Sequence, residues 1–267
     1  MTPHLARTFR RPLSSRRRAQ LGIIAVFGLI ALWGLIAILD LFPQIFFPSP
    51  REVFRTLLRM FLSEGFGIDV AVSSSRIAAA FLASALLAVP LGVAMSCFRW
   101  ADALISPLVD FVRYVPVPAL LPLFILWTGI GEGPKFLVLF VGTFFQLVLL
   151  IKDDADDVPE ALFDLARTMG ATPFQLVRDV LLPATAPMIY DRLRVTLGWC
   201  WTYLVIAELI SVRRGVGYAL KEAQRFNASD RMFVAFLVLG AIGLVTDVIA
   251  RFGFRKLFPY LPENGAH

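Results

Sequence analysis

The sequence predicts an all-α membrane protein with about six transmembrane helices. Hydrophobic residues make up 58% of the 267 residues, and only 17% are charged. The mean hydropathy is strongly positive, at +0.72. Apolar runs also reach the ~20 residues that an α-helix needs to cross a bilayer. A chain of this composition and length is expected to form spanning helices joined by short loops.

Six segments have the length and apolar character of a span. They are roughly 21–39, 74–97, 104–128, 134–151, 184–212 and 232–251. The second is rich in alanine and serine, which favour close packing between helices. The third contains Pro107, Pro116, Pro118 and Pro122. Prolines in a helix interior cause kinks, so we expect a broken helix that lines a cavity or is sheltered by protein.

An arginine-rich segment precedes the first span. Its members are Arg7, Arg10, Arg11, Arg16, Arg17 and Arg18. A basic cluster in this position is typical of a cytoplasmic anchor beside anionic lipid, so the positive net charge does not indicate nucleic acid as a partner. The run that follows is long and has no small-residue cleavage site after it, which favours a retained helix over a signal peptide.

This orientation predicts that both termini are cytoplasmic, because six spans return the chain to the side from which it started. Residues 1–20 are then a basic cytoplasmic segment, 21–256 a single transmembrane domain, and 257–267 a cytoplasmic tail. The polar segment 157–183, between the fourth and fifth spans, is also placed in the cytoplasm.

The first half of segment 157–183 predicts a short helix. Asp157 and Glu160 have the spacing of a capping box, and Gly170 is suited to the left-handed conformation that ends a helix. Apolar residues recur between them at helical spacing and form one stripe, which consists of Leu162, Leu165, Ala166 and Met169.

The second half predicts another helix, with a capping box at Thr172 and Gln175 and an end at Pro183. A short amphipathic helix presented between two spans can dock into a groove of another protein. An ordinary pair of interfacial helices is the alternative.

This arrangement resembles the cytoplasmic loop of ABC importer permeases, whose pattern is EAA, three residues, Gly, nine residues, Ile, one residue, Leu-Pro. With Gly170 as the glycine, the hydrophobic, Leu and Pro positions fall on Val180, Leu182 and Pro183. The three EAA positions fall on Asp164, Leu165 and Ala166. Asp therefore replaces Glu, and Leu replaces the first Ala. The resemblance implies that an ATPase docks on Asp164, Leu165, Ala166, Arg167, Met169 and Gly170.

The match extends over most of the chain. RYVPVPALLPLFILWTGIGEGPK at 113–135, LGWCWTYLVIAELI at 197–210 and GVGYALKEAQRF at 215–226 resemble the permeases for nitrate, bicarbonate, taurine and alkanesulfonates. The resemblance implies the type I ABC importer permease fold in the bacterial inner membrane. It also implies a homodimer, a periplasmic or lipid-anchored binding protein, and two ATP-binding-cassette subunits that hold ATP and Mg. No catalytic residue, cofactor or metal is expected in this chain.

Ionisable and aromatic side chains inside the spans need an explanation, because charges are costly there. Arg113 either lines the path of an anion, balances Asp110, or donates to carbonyls freed by Pro116 and Pro118. Glu208 is expected to pair with Arg76, and Asp247 with Arg251. Aromatic and polar side chains of the fifth span either shape the substrate pathway or pack against neighbouring helices; these are Trp199, Trp201 and Thr202.

The connection after the first span predicts a helix on the outer surface. Ser49 and Glu52 have the spacing of a capping box. Apolar Phe54, Leu57, Leu58 and Phe61 follow at helical spacing, beside arginines at positions 51, 55 and 59. Such a helix either contacts an extracytoplasmic partner or lies on the membrane surface.

The function predicted from these features is that of the permease subunit of an ATP-driven importer for a small oxyanion or sulfonate. No glycine-rich loop ending in Lys-Ser or Lys-Thr is present, so ATP hydrolysis is expected in a separate subunit. An ion-coupled secondary transporter and an integral membrane enzyme are the alternatives. Secondary transporters usually have internal repeats and carboxylates near the membrane midplane, and the sequence shows neither. The placement of His4, His267, Cys97 and Cys200 does not favour an enzyme.

Overall fold

The computed structural model describes residues 14–209 and 214–260. Over these residues the chain is helical and contains no β-strand. The all-α fold predicted from composition is therefore confirmed. Arg7, Arg10, Arg11 and residues 261–267 lie outside the described residues, and the division into cytoplasmic ends and one transmembrane domain stays a prediction.

The described residues form eleven α-helices. These are α1 (Ser15–Ile38), α2 (Pro50–Ser63), α3 (Phe66–Cys97), α4 (Arg99–Arg113), α5 (Leu121–Thr128), α6 (Glu132–Asp156), α7 (Glu160–Thr168), α8 (Pro173–Gln175), α9 (Leu182–Leu209), α10 (Val216–Arg225) and α11 (Ser229–Leu257). A 3₁₀ turn at Val117–Leu120 joins α4 to α5. A π-helical stretch at Leu176–Leu181 joins α8 to α9.

Among the described residues, four helices are long and apolar enough to cross a membrane: Gln20–Ile38 within α1, and the whole of α3, α6 and α11. A fifth crossing is formed if α4 and Val117–Thr128, which are bent by 89°, act as one span. The predicted break in the third span is thus confirmed. The predicted fifth span forms α9, which has 28 residues but is less apolar because it carries Asp191, Arg192 and Arg194.

The centre of the bundle is built by α3, α6 and α9. Gly92 of α3 lies so close to α6 that a Cβ atom there would be 2.8 Å from the carbonyl oxygen of Val148. Farther along the same two helices, Ser84 Oγ lies 2.9 Å from Thr143 Oγ1, and both residues are fully buried. Small residues therefore allow the close backbone approach that the sequence predicts for the second span.

The first span lies at the edge of this bundle, since no residue of its spanning window is buried. Two contacts between α1 and the rest of the chain involve Trp33. The Trp33 Nε1–H donates to the carbonyl oxygen of Pro48 at 3.0 Å, and its ring stacks on Phe233 of α11 with centroids 5.5 Å apart. The rest of the spanning window of α1 is largely exposed within the described chain.

The long helices bring their termini together in two groups. In one group Arg76 Nε, near the start of α3, lies 2.6 Å from Glu132 Oε2 at the start of α6. In the other, Arg192 Nη2, near the start of α9, lies 2.6 Å from Asp154 Oδ1 near the end of α6. Segment 157–183 belongs to the second group, which we call the inner end. The group that contains Arg76 and Glu132 is the outer end, in keeping with the predicted orientation.

The helix α2 lies at the outer end and begins with the predicted capping box. The Glu52 backbone N–H donates to Ser49 Oγ at 3.3 Å, and the Ser49 backbone N–H donates to Glu52 Oε2 at 3.0 Å. Val53, Thr56 and Met60 are buried against the bundle. The predicted apolar stripe lies mostly on another face, where Phe54, Leu58 and Phe61 are exposed. That placement suits a helix whose apolar face contacts the bilayer.

Candidate functional site

The helix α7 of the inner end starts later than its sequence predicts. The predicted capping box between Asp157 and Glu160 is wrong, because the N-cap is Pro159 and no side chain caps the helix. The reason is that α6 continues to Asp156, so Asp157 is the C-cap of that helix, and its N–H donates to the Asp153 carbonyl at 3.0 Å. Pro159 holds the extended conformation from which α7 then begins.

The end of α7 forms as predicted. Gly170 has a φ angle of +83°, in the left-handed region. Its N–H donates to the carbonyl of Arg167 at 2.9 Å, and the N–H of Ala171 donates to that of Ala166 at 3.0 Å. This pair of bonds is a Schellman motif, which satisfies the last carbonyls of a helix and fixes the direction in which the chain leaves it.

The next helix also starts as predicted, but Pro183 does not end it. The Gln175 N–H donates to Thr172 Oγ1, and Gln175 Oε1 accepts from the Thr172 N–H at 2.8 Å. The chain then continues through the π-helical stretch into α9. Proline breaks an α-helix because it removes an N–H and collides with a carbonyl one turn earlier. The wider π-helical turn before Pro183 relieves that conflict. The chain therefore stays helical without a break from the loop into the fifth span.

The apolar stripe of α7 is left uncovered within the described chain. Leu165 is 62% exposed and Met169 is 81% exposed. Phe174 of α8 adds a third exposed apolar side chain beside them in the sequence, at 70%. We call Leu162, Leu165, Met169 and Phe174 the α7 docking face. An apolar surface of this kind marks a place where another molecule binds.

The rest of this loop is fixed to the bundle, which holds the docking face in place. Val158 and Leu181 are buried in a core cluster with Ile151 and Ile189, and Phe163 of α7 packs on the same cluster. One side of α7 is therefore anchored by apolar contacts while the other is presented to solvent.

Charges on α7 are paired along the helix. Arg167 Nη1 donates to Glu160 Oε1 at 2.8 Å and to Asp164 Oδ1 at 2.9 Å. The hydrogen bond to Glu160, and next that to Asp164, raise the pKa of the Arg167 guanidinium above its ordinary value. The acid at the first EAA position thus faces an arginine of its own helix, and it is 66% exposed at the side chain.

Arg113 lies at the last turn of α4, directly before the 89° bend. Its Nε atom is 3.3 Å from Asp110 Oδ1, so the predicted pair is present. Arg113 Nη2 also donates to the Tyr114 hydroxyl at 3.0 Å. The Arg113 and Asp110 side chains are 35% and 50% exposed, respectively, so this pair is not a buried one.

The structure separates the three predicted pathway residues of α9. Trp199 is 38% exposed, and Thr202, three residues later, lies on the same exposed side of the helix. Trp201 is 8% exposed and belongs to the core cluster that joins α9 to α11. Two of the three are therefore available to a pathway, whereas Trp201 occupies the position of a packing residue.

The predicted pairing of Glu208 with Arg76 is present at the outer end. Arg76 Nη1 donates to Glu208 Oε1 at 2.6 Å. Arg76 also binds Glu132 through two nitrogens, at 2.6 and 2.7 Å, and Lys135 Nζ lies 2.7 Å from Glu132 Oε1. We call these four residues the outer ion-pair network. Glu132 and Lys135 were not predicted, because they lie at the polar turn before the fourth span, where the sequence gives no reason for a charge to need a partner.

Two glycines of the GVG motif fit around this network. The Gly217 N–H donates to Glu208 Oε2 at 2.8 Å, and the Val216 N–H donates to Ser73 Oγ at 2.9 Å. A Cβ atom on Gly215 would lie 2.6 Å from Glu208 Oε2, and one on Gly217 would collide with the Glu208 side chain. The start of α10 is therefore held on α3 and α9 through backbone N–H groups, and glycine at positions 215 and 217 leaves room for the Glu208 side chain.

Three further ion pairs lie in the spans, one within α11 and two between helices. Arg251 Nε lies 2.8 Å from Asp247 Oδ2, as predicted, and Arg194 of α9 adds a second contact to Asp247 at 3.4 Å. The bond between Arg192 and Asp154 was not predicted, since Asp154 was expected in a loop beyond the fourth span. Among the described residues, no group of histidines, cysteines and acids is arranged to hold a metal ion.

Comparisons with known proteins agree with this geometry. Residues 69–258 match the family described as binding-protein-dependent transport system inner membrane components. The taurine transport system permease protein of Escherichia coli (strain K12) is 32% identical over 96% of this chain and 94% of its own length. A putative aliphatic sulfonates transport permease protein of Bacillus subtilis (strain 168) is 32% identical over 80% of this chain and 77% of its own.

Among solved structures, the MetNI methionine ABC transporter in an inward-facing conformation has the same fold. The TM-score is 0.63 at 22% identity, over 73% of this chain and 99% of the other. This likeness confirms the predicted type I ABC importer permease fold. The family match covers well over half of the chain, and the taurine relative exceeds 30% identity over nearly its whole length. The chain therefore belongs to the family of binding-protein-dependent ABC importer permeases.

Proposed function

We propose that this permease imports a small sulfonate or oxyanion, such as taurine, an alkanesulfonate, nitrate or bicarbonate. Two copies would form the translocation unit, with two ATP-binding-cassette subunits at the inner end and a substrate-binding protein at the outer end. The relatives named for taurine and aliphatic sulfonates support this substrate class. In the bacterial inner membrane, with both termini cytoplasmic, the α7 docking face would meet the ATPase.

The observation that carries the proposal is the α7 docking face. Leu165 and Met169 are exposed on a helix whose other side is packed through Phe163. Because the π-helical stretch connects this loop directly with α9, movement of a docked ATPase would be transmitted into the fifth span. Coupling of ATP hydrolysis to alternating access needs such a rigid connection.

The same connection favours α9 as a lining element of the pathway. Trp199 and Thr202 lie on its exposed face. Arg113, at the bend of the broken span, offers a planar guanidinium suited to an oxyanion. We place these three residues along the path between two copies of the chain. Trp201 is left out, because its side chain is enclosed in the core.

The test is substrate-stimulated ATP hydrolysis by the complete transporter in liposomes. The permease, its ATPase subunits and its binding protein are combined, and taurine, methanesulfonate, nitrate and bicarbonate are added separately. Stimulation by one of these anions, together with uptake of the same anion, is expected. A complex that hydrolyses ATP but responds to none of them would overturn the substrate class. A permease that does not retain ATPase subunits would overturn the docking role of α7.

A further inference from the structure

Arginines on the outer helix α2 form a feature that the transport cycle described above does not use. Arg51, Arg55 and Arg59 follow one another at four-residue spacing, and all three are exposed. No ion pair joins any of them to a described residue. Arg231, at the same end, does have such a partner, since it lies 2.8 Å from Glu64.

Two of these arginines line an open cleft of about 360 Å³. Its walls come from α2 and from the turns before α2 and before α11, and include Glu52, Arg55, Thr56, Arg59, Gln44 and Asn227. We call this opening the α2 cleft. Its volume is at the lower end of the range for binding pockets, enough for a few side chains of a partner.

The acids in the cleft already have hydrogen-bond donors. Glu52 accepts from the Ser49 N–H in the capping box, and Asp230 accepts from Thr56 Oγ1 at 2.6 Å. The guanidiniums of Arg55 and Arg59 are left with their N–H donors directed to no described acid. Each can bind a carboxylate through two parallel hydrogen bonds.

The angular position of the α2 cleft on its helix helps to distinguish a protein ligand from a lipid ligand. At about 100° per residue, the cleft residues of α2 lie about 140° around the helix from the exposed apolar face of Phe54, Leu58 and Phe61. If that apolar face contacts the bilayer, the cleft opens to the aqueous phase. This placement favours a ligand from the aqueous phase over a lipid headgroup.

We infer that the α2 cleft is a docking site for an acidic surface loop of the substrate-binding protein. The inference rests on the proposed function, because it assumes an importer with such a partner at its outer end. Arg55 and Arg59 would receive carboxylates of that loop, with Gln44 and Asn227 supplying amide contacts. Charge pairs at the rim of an interface mainly accelerate association and make it sensitive to salt.

The experiment uses the complete transporter in liposomes and titrates its purified substrate-binding protein, measuring ATP hydrolysis. Arg55→Glu and Arg59→Glu are compared with Arg51→Glu, which makes the same charge change on the same helix outside the cleft. We expect the half-saturating concentration of binding protein to rise about five- to tenfold for the first two. Maximal hydrolysis and hydrolysis without binding protein should stay at the wild-type level, and Arg51→Glu should remain within about twofold.

Two competitors identify the ligand chemistry. Hexaglutamate should raise the half-saturating concentration of the wild type but not of Arg55→Glu, whereas sulfate at equal ionic strength should have the same effect on both. If sulfate competes as well as hexaglutamate, the cleft is a site for small anions and the inference is wrong. A defect that appears only in vesicles containing phosphatidylglycerol would instead assign the arginines to lipid.

Equal half-saturation in all variants would overturn the docking site while leaving the importer function intact. A wild type that does not respond to any binding protein would overturn the proposed function itself. If a glutamate variant does not assemble, Arg55→Gln and Arg59→Gln take its place. They remove the charge without reversing it, so an intermediate rise in half-saturation is expected and an unchanged value contradicts the inference.

Discussion

Glu208 Oε1, on a side chain with no solvent exposure, lies 2.6 Å from Arg76 Nη1. This contact joins the end of α9 to the start of α3. The same carboxylate accepts hydrogen bonds from Ser73 Oγ and from the Gly217 N–H, so it organises the outer end of three helices. A charge buried this deeply is stable only because all its partners are present.

The first prediction is that Glu208→Gln strongly destabilises the permease. Glu208→Gln removes the buried charged acceptor that Arg76, Ser73 and the Gly217 N–H share. Breaking a buried pair costs up to about 3–5 kcal/mol, and here the loss falls on the Glu208 site, because Arg76 keeps its bonds to Glu132. The readout is the thermal midpoint of the purified permease in detergent. Glu64→Gln is the matched control, because its pair with Arg231 is partly exposed and contributes about 0–1 kcal/mol. The thermal midpoint of the double variant Arg76→Gln, Glu208→Gln should fall by less than the sum of the two single decreases. Equal decreases for Glu208→Gln and Glu64→Gln would contradict this role.

Local signals in the sequence were enough to predict where several helices begin or end. The capping boxes at Ser49 and Thr172 and the helix end at Gly170 depend only on neighbouring residues, and all three formed. Charges within apolar spans were also informative, because their cost requires a partner, and Arg76 was the cation at a matching depth for Glu208.

Other features depend on how helices pack and on how far they extend. Arg192 meets Asp154 only because α6 continues one turn past the apolar run, which the composition of that turn does not reveal. The passage through Pro183 depends on a π-helical turn, for which the sequence has no distinct signal. The aromatic character of both side chains placed Trp201 beside Trp199 in one candidate site, but the face of α9 that packs on α11 was set by tertiary contacts.

The second prediction concerns Gly170. A Cβ atom there would meet nothing within 4 Å, so only the backbone conformation resists substitution. Gly170→Val should disfavour the φ of +83° and redirect α7, whereas Gly170→Asn should be tolerated because asparagine adopts this conformation more readily. Co-purification of the ATPase subunits and uptake are measured at matched expression. Normal uptake by Gly170→Val would remove this glycine from the coupling mechanism.

The third prediction tests the α7 docking face. Leu165→Glu and Met169→Glu place a charge in the proposed apolar interface and should release the ATPase subunits, while leaving the thermal midpoint of the isolated permease unchanged because both side chains are exposed. Ile130→Glu is the control, since this apolar residue is 81% exposed between α5 and α6, at the outer end. Should the two inner variants still bind ATPase as Ile130→Glu does, the docking face lies elsewhere.

The fourth prediction concerns orientation. Ala161 of α7 and Gln224 of α10 are both exposed and lie at opposite ends of the bundle. In a background with Cys97 and Cys200 replaced by alanine, Gln224→Cys should react with a membrane-impermeant maleimide in intact spheroplasts. Ala161→Cys should react only after the membrane is opened. Labelling of Ala161→Cys in intact spheroplasts would reverse the orientation and place the docking face outside.

The last prediction concerns Arg113, and it distinguishes a pathway role from a pair with Asp110. Because its pair with Asp110 is about half exposed, it contributes only about 0–1 kcal/mol, and neither single substitution should prevent assembly. If Arg113 lines the anion path, uptake should fall in the order Arg, Lys, Gln, since lysine keeps the charge but loses the planar fork of donors. Asp110→Asn should leave uptake at or above the wild-type level, because it removes a negative charge beside the path.

Complex yield, ATP hydrolysis and anion uptake are measured for Arg113→Lys, Arg113→Gln, Asp110→Asn and the double variant Arg113→Gln, Asp110→Asn. If Arg113 lines the path, uptake falls in Arg113→Gln and in the double variant, and less in Arg113→Lys, with yield and basal hydrolysis unchanged. A residue that only balances Asp110 behaves differently, because removing both charges restores the neutral state and uptake with it. Recovery in the double variant would therefore reject the pathway role and leave Arg113 as a local partner of Asp110.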